Sequence, residues 1–358
     1  MKLRLIAIFF ALSMLFSLVA CSNSGNSGID TTAPATDAPS SPTEPVTVRI
    51  QTLNGTTGFG MAKLMEDNAN GAFTTEKYEI AVKTDAVAVR DALLNGSIDI
   101  AALPTNAASV AFNKSNGAVK IIAINTLGCL FLLNTGSEAA ESFADLGGKT
   151  VYTPAQNPAF IFTYLCQQNG LTVVNQPTTN KNEIYIDSTT YAQPADLQKV
   201  VSSGKVALAV LPEPMVTIAV NGGKNATPAV TVNVEMDLTA EWDKLPEKAN
   251  TLVQGCVVVR KAFLEAHPEA VANFLKAYKA SIEYLNTNVA DAAKLVVKHG
   301  IFANEAVAKL AIPKCNVKYV DGAAMKTSVA AYLDILKSVK ASSIGGKLPT
   351  DDFYHVAG

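Results

Sequence analysis

The chain has 358 residues, 49% hydrophobic and 17% charged, with 29 Lys and Arg against 31 Asp and Glu for a formal net charge of −2. At roughly 100–200 residues per domain, this length asks for two compact lobes rather than one small module, and the apolar share excludes a disordered or fibrous chain. A nucleic-acid binder needs a basic face for phosphates; none is visible, which excludes that class too.

Lys2 and Arg4 precede an apolar run from Leu5 to Ala20. Two cations before such a run read as a secretory signal over residues 1–20, too short for a preferred membrane span. The run closes in Leu18-Val19-Ala20-Cys21, which resembles the bacterial lipobox, where small residues precede a cysteine that is diacylated and becomes the first residue after cleavage. The expectation is a lipid anchor at Cys21 that holds the protein to the cell membrane outside the cytoplasm; one acyl chain anchors only marginally, but several hold firmly. Residues 22–45 contain five Ser, four Thr, four Pro, two Gly and two Asn, 17 of 24 positions. Such a stretch cannot bury enough surface to offset its ordering entropy, so residues 21–45 read as a lipidated cysteine followed by a disordered linker.

From Val46 the pattern alternates. Val46–Leu53 predicts a strand, Phe59–Asn70 a helix, Tyr78–Thr84 a strand, Ala86–Asn95 a helix and Ile98–Leu103 a strand, followed by a helix over 105–116 and a strand over Val119–Thr126. Strands alternating with helices imply βαβ units and a mostly parallel sheet with covered faces, so the fold class is α/β.

An internal repeat marks a second lobe. Asn95-Gly96-Ser97-Ile98-Asp99-Ile100-Ala101-Ala102-Leu103-Pro104 aligns without gaps to Ser203-Gly204-Lys205-Val206-Ala207-Leu208-Ala209-Val210-Leu211-Pro212, at an offset of 108. Each copy is a helix end closed by Gly, a buried strand, and Leu-Pro at the strand's carboxyl edge. The strands Val46–Leu53 and Tyr78–Thr84 have counterparts in Thr150–Thr153 and Glu183–Asp187. The repeat implies two similar Rossmann-like lobes with a ligand cleft between them. The segments Leu127–Leu133 and Gln254–Arg260, each a Gly-Cys followed by apolar residues, read as two crossover strands forming a hinge. Residues 46–128 and 256–358 then make lobe 1 and 129–255 lobe 2. Beyond Arg260 the chain turns helical over Ala262–Asn288, Ala290–His299, Asn304–Ala311 and Gly322–Lys337, with Pro268 near a helix start.

In open α/β sheets, ligands bind outside the carboxyl ends of strands, where helix N-termini aim free N–H groups into the crevice. The candidate ligand-binding residues are Asn54, Thr56, Thr57 and Gly58 after the first strand, Thr84 and Asp85 after the second, and Thr105 and Asn106 after the third. Their second-lobe counterparts are Thr153, Gln156 and Asn157, then Ser188, Thr189 and Tyr191, then Glu213. This set offers many hydrogen bonds and little charge, which suits a small polar or zwitterionic organic molecule. Asn54, Thr105 and Ser188 serve equally well as caps, and Glu213, between two prolines at a helix start, as a helix-dipole partner.

No catalytic constellation appears. His267, His299 and His355 lie in predicted helices or the tail, and G-x-S-x-G, P-loop and H-E-x-x-H motifs are missing, so neither a catalytic residue nor a metal or cofactor is expected. Besides Cys21 there are Cys129, Cys166, Cys256 and Cys315; buried free thiols are the default, and Cys256–Cys315 is the pair best placed for a disulfide, both falling in the first lobe near the cleft base. Trp242 either lines the cleft rim or staples its own loop, the staple being preferred.

Several segments resemble the type II periplasmic-binding-protein fold of bacterial ABC importers, in the nitrate/sulfonate/taurine and thiamine-precursor binding group: Gly96-Ser97-Ile98-Asp99-Ile100-Ala101, Asp145-Leu146-Gly147-Gly148-Lys149, Leu211-Pro212-Glu213-Pro214 and the stretch Val259 to Glu269. The resemblance spans about residues 46–340 and rests on scaffold turns and caps. It implies a monomeric lipoprotein that captures a small-molecule ligand, sulfonate- or taurine-like or thiamine-pyrimidine-like, and delivers it to the transmembrane subunits of an ABC permease. The same group resembles fungal pyrimidine-synthesising enzymes that use a cysteine-rich iron-binding segment, and no such cluster occurs here. An enzyme of that type and a ligand-sensing module for a receptor are the competing readings.

Overall fold

In the computed structural model, the described residues are 44–138 and 140–356; the signal expected over 1–20, Cys21 and most of the linker lie outside them. The chain runs β1 (Val46–Leu53), α1 (Thr56–Phe59), α2 (Ala62–Ala69), β2 (Glu76–Lys83), α3 (Ala86–Leu94), β3 (Ile100–Pro104), α4 (Thr105–Lys114) and β4 (Val119–Thr126). It then passes to β5 (Leu130–Asn134), β6 (Thr150–Tyr152), α5 (Asn157–Gln168), β7 (Thr172–Val174), β8 (Glu183–Asp187), α6 (Pro194–Ser202), β9 (Leu208–Pro212), α7 (Met215–Lys224), β10 (Asn233–Asp237) and α8 (Leu238–Asp243). It returns through β11 (Gly255–Arg260), α9 (Lys261–Ala266), α10 (Pro268–Thr287), α11 (Val289–Lys298), α12 (Glu305–Ala311), β12 (Val317–Val320) and α13 (Gly322–Lys340).

These strands form two six-stranded sheets, ordered β12-β4-β11-β3-β1-β2 and β10-β5-β9-β6-β8-β7. The α/β class holds, but the sheets are mixed rather than mostly parallel. In the first, β1 pairs in parallel with β2 and β3, while β11 enters antiparallel between β3 and β4. In the second, β6 pairs in parallel with β8 and β9, while β5 enters antiparallel between β9 and β10. The cause is the crossover: a strand arriving from the other half runs back against its new neighbours. The sequence repeat therefore has a spatial meaning, with β3 and β9 in equivalent positions beside the arriving strands β11 and β5.

Continuous apolar strands are possible because both faces are covered. Ile100 and Ala102 of β3 join one core cluster while Ala101 and Leu103 join another. The second of these clusters runs through both sheets, from Leu103 and Ile124 to Leu132 and Val210, with Tyr332 and Leu333 of α13. Trp242 is fully buried in it, its Nε1 donating to Thr251 Oγ1 at 2.9 Å and its ring 5.2 Å from Tyr164 and 6.2 Å from Tyr332. It is a core residue of α8.

Two predicted helices are each split. At the first break, the Ser281 hydroxyl of α10 donates to Gly60 O at 2.6 Å and accepts from Leu64 N at 3.0 Å, replacing helical hydrogen bonds between α1 and α2. The helix expected over Ala262–Asn288 breaks at His267 (φ −136°, ψ 57°), because the ring of Pro268 pushes the preceding residue out of the helical region. Among the described residues no helix is long and apolar enough to cross a membrane.

Cys129, Cys166, Cys256 and Cys315 are all free and buried. This is the default read from the sequence; the alternative pairing of Cys256 with Cys315 does not form, for a geometric reason: Cys256 packs into the cluster on one face of its sheet and Cys315 into the cluster on the other. Burial pushes the Cys129 and Cys256 thiols up to about 12, where the thiolate needed for reaction is scarce. We expect Ellman's reagent at pH 8 to leave all four thiols untouched in the native protein and to titrate all four after guanidinium denaturation; a count two lower would require a disulfide among them.

Candidate functional site

The carboxyl ends of the central strands β1, β3, β6 and β9 run into loops that converge between the sheets. They enclose a cavity of about 350 Å³ lined by Asn54, Gly55, Thr56, Thr57, Pro104, Thr126, Cys129, Asn157, Pro158, Pro194, Pro212, Glu213, Pro214, Met215, Gln254 and Phe302. Two hydrogen bonds bridge the halves at this point. Thr56 Oγ1 donates to the Glu213 carbonyl at 2.8 Å, and Asn157 Nδ2 donates to Asn106 Oδ1 at 2.9 Å.

Local chemistry builds each wall. Gly55 (φ 76°, ψ −151°) turns the chain out of β1 in a conformation open only to glycine, and its N–H donates to Ile301 O at 3.0 Å. That bond brings Phe302 to the cavity, where the ring of Phe59 supports it edge-on at 6.0 Å. Asn125, fully buried in β4, donates through Nδ2 to Thr57 O at 3.2 Å and fixes α1 from below. On the opposite wall Glu213 is 2% exposed, and its two carboxylate oxygens accept from Thr217 N at 3.1 Å and Thr217 Oγ1 at 3.0 Å. Burial raises the Glu213 carboxyl above its usual range against the pull of these bonds. Gln254, just before β11, accepts from Cys129 N through Oε1 at 2.7 Å.

Of the candidates read from sequence, Asn54, Thr56, Thr57, Asn157 and Glu213 line this cavity. Thr105 and Thr153 are fully buried behind it and their hydroxyls have no partner; Asn106 stands behind Asn157. Gly58 is a packing residue, since a Cβ there would lie 2.1 Å from Leu53 O. Gln156 is exposed at the turn into α5, with φ 69°.

Thr84, Asp85, Ser188, Thr189 and Tyr191 are outside the lining: β2 and β8 lie outside β1 and β6 in sheet order, and of the chain that follows them only Pro194, at the start of α6, reaches the cavity. Asp85 instead caps α3, accepting from Val87 N at 2.8 Å. Thr189 turns back on Asp187, and the Tyr191 ring packs 5.5 Å from Tyr152.

The lining residues that strand-end reasoning missed are Gly55, Thr126, Cys129, Met215, Gln254, Phe302 and the prolines. Pro104 and Pro212 were visible as the two copies of the Leu-Pro doublet, whereas Phe302 arrives from the distant end of α11 and left no local signal. None of the three histidines lines the cavity, and His299 sits 2.9 Å from Glu66 instead. Among the described residues no group of His, Cys, Asp and Glu is placed to hold a metal ion.

Two sheets with a cavity at their facing strand ends are the architecture of the two-lobed binding proteins of bacterial ABC transporters. The fold is shared with an ABC transporter protein from Parabacteroides distasonis (TM-score 0.69, 20% identity, covering 87% of this chain and 99% of that one). It is likewise shared with the periplasmic aliphatic sulphonate binding protein SsuA from Escherichia coli (TM-score 0.65, 15% identity, 85% and 95% covered). The periplasmic nitrate-binding protein NrtA from Synechocystis is a further example (TM-score 0.53, 13% identity, 87% and 92% covered). No family model matches the chain, nor does any curated protein sequence.

Proposed function

We propose that this protein is an extracytoplasmic solute-binding protein, tethered by lipid at Cys21, that captures one small organic nutrient in the interlobe cavity and hands it to an ABC permease. The observation that carries this reading is the cavity itself: its walls come from equivalent strand ends of both sheets, and hydrogen bonds already close one half over the other. A ligand that touches both halves favours the closed form, which is how occupancy becomes legible to a partner. At about 350 Å³ the cavity has room for a single small molecule.

The lining narrows the ligand. Five proline rings with Met215 and Phe302 supply flat apolar walls, and no Lys, Arg or His is present to neutralise an anion. Of the two ligand classes expected, a pyrimidine-like ring fits these walls better than a sulfonate. Residues 46–128 with 256–358, and 129–255, are the two moving lobes of this proposal.

The test is a melting screen of the protein against pyrimidines, taurine, alkanesulfonates and nitrate. A ligand at about 100 times its Kd adds roughly 2.7 kcal/mol. At roughly 2–4 °C per kcal/mol, a true ligand lifts Tm by several degrees. Flat melting across every class sinks the proposal.

A further inference from the structure

We infer that the second sheet carries a separate binding site for a small carboxylate, in a cavity of about 490 Å³ that stands where the first sheet places its Arg49–Asp99–Arg260 ion cluster. The site shares no lining residue with the interlobe cavity and does not depend on it.

Strand register makes the two places equivalent. In the first sheet Gln51 pairs with Ala101 across β1 and β3, and Val259 pairs with Ile100 across β11 and β3, which sets Arg49 and Arg260 on either side of Asp99. In the second, Tyr152 pairs with Ala209 across β6 and β9, and Asn134 pairs with Leu208 across β5 and β9, which sets Thr150 and Thr135 on either side of Ala207. Ala207 is also the residue that the sequence repeat aligns with Asp99. Side chains two apart along a strand share a face, so Asp99 lies on the face of Ala101 and Ala207 on the face of Ala209, which is the same side of each repeat.

The first sheet fills this spot with its own side chains: the Asp99 carboxylate accepts from Arg49 Nη2 at 2.9 Å and from Arg260 Nη2 at 2.6 Å. The second puts two threonines and an alanine there. Thr135 turns back on its neighbour, its Oγ1 donating to Val206 O at 2.6 Å, and the cavity opens over Thr150, Tyr152 and Ala207. The turn after β5 makes the remaining wall and is shaped by Asn134, whose Oδ1 accepts from Gly136 N at 2.8 Å while its Nδ2 donates to Glu138 O at 2.8 Å.

Charge decides what fits. The ionisable lining apart from Tyr152 is Lys149, Lys205 and Glu138, a net positive set. Lys149 pairs with Glu138 at 3.2 Å, whereas Lys205 is exposed at the entry to β9 and makes no ion pair among the described residues. A carboxylate entering here takes the place that Asp99 holds in the other sheet, with an ammonium and the Thr150 hydroxyl as donors. It would tie β5, β6 and β9 at the edge away from the interlobe cavity, as Asp99 ties β1, β3 and β11.

Titration calorimetry of the protein at low salt with succinate, succinamide and inorganic phosphate tests this, since the first two share a shape and differ in charge. Succinate should bind saturably and at least about tenfold more tightly than succinamide, the usual margin for hydrogen bonds to an ionised group. Lys205→Met should weaken succinate at least about threefold, the scale of an exposed ion pair. Ala207→Asp should weaken it at least about tenfold, by setting a fixed carboxylate where the ligand's would lie.

The absence of saturable succinate binding to the unmodified protein overturns the inference, as does equal binding of succinamide or tighter binding of phosphate. None of these outcomes depends on a variant folding. Succinate bound with native affinity by both folded variants would place it elsewhere on the protein and overturn the inference too. The solute-binding role stands in every case, because neither substitution touches the interlobe cavity.

Discussion

Replacing Asp99 with alanine should lower Tm by about 5–10 °C and leave ligand affinity within about twofold, the largest loss of stability expected from one polar substitution here. Asp99 sits at the entry to β3, on the sheet edge opposite the cavity, with its side chain 1% exposed. One carboxylate oxygen takes Arg49 N at 3.0 Å and Arg49 Nε at 2.9 Å, and the other takes Arg49 Nη2 at 2.9 Å and Arg260 Nη2 at 2.6 Å. It thus joins β1, β3 and β11, three strands whose far ends form one wall of the cavity.

Breaking a fully buried pair costs about 3–5 kcal/mol. The arginine side chains here are 41% and 25% exposed. Water then recovers part of that cost, and about 2–4 kcal/mol is the expected loss. Arg260→Ala should cost less, because Asp99 keeps Arg49.

Burial by itself would raise the Asp99 carboxyl, but the hydrogen bonds from Arg49 and Arg260 outweigh it and hold the group below the usual range. A carboxyl lowered in the folded state stabilises fully above its unfolded value near about 4 and loses that contribution as pH falls through the folded value. The Tm gap between the native protein and Asp99→Ala should therefore be constant above about pH 5 and narrow in acid. A gap under 2 °C at pH 7, or one that widens in acid, would refute this account.

Asp99 also marks where the repeat is informative and where it stops. The ungapped match between the segments at 95 and 203 locates β3 and β9 in equivalent places, because an apolar run ending in Leu-Pro is a physical instruction: bury both faces, then end the strand. Yet Asp99 aligns with Ala207, so the charge cluster belongs to one copy alone.

The loops after β1, β6 and β9 were legible as cavity walls because those strands are central in their sheets. The loops after β2 and β8 carry residues of the same types, and strand order, which keeps Thr84, Asp85, Ser188, Thr189 and Tyr191 out of the lining, is a long-range property with no local pattern. Gln254 and Phe302 escaped for a related reason: a crossover strand and the end of α11 bring them in, through Cys129 N–H and the Gly55–Ile301 bond. The alternation of polar and apolar residues records which face is buried and leaves out which neighbour covers it, so Cys256 and Cys315 appeared close in the chain's organisation while lying in clusters on opposite faces.

Gly58→Ala should weaken binding of the ligand selected by the melting screen by at least about tenfold, although Gly58 does not line the cavity. The added Cβ would lie 2.1 Å from the carbonyl oxygen of Leu53 and 2.9 Å from Ile301 Cγ2. The first neighbour is backbone at the end of β1, so no side-chain rotation relieves the overlap and α1 itself has to move. Overpacking of this kind costs about 1–3 kcal/mol. Displacement of α1 carries Thr56 and Thr57 with it, along with the 2.8 Å bond to the Glu213 carbonyl and the 3.2 Å bond from Asn125. It also disturbs Phe59, whose ring supports Phe302 on the neighbouring wall.

Gly71→Ala is the control. Gly71 has φ 73°, and a methyl added there would have nothing within 4 Å, so the change should cost about 1 kcal/mol of backbone strain and leave affinity unchanged. Calorimetry on the two variants, each checked by circular dichroism for a native spectrum, separates strain in general from displacement of α1. A folded Gly58→Ala protein that binds as well as the native one would show that α1 contributes nothing to recognition and that ligand contacts lie on the Asn157, Glu213 and Gln254 side of the cavity alone.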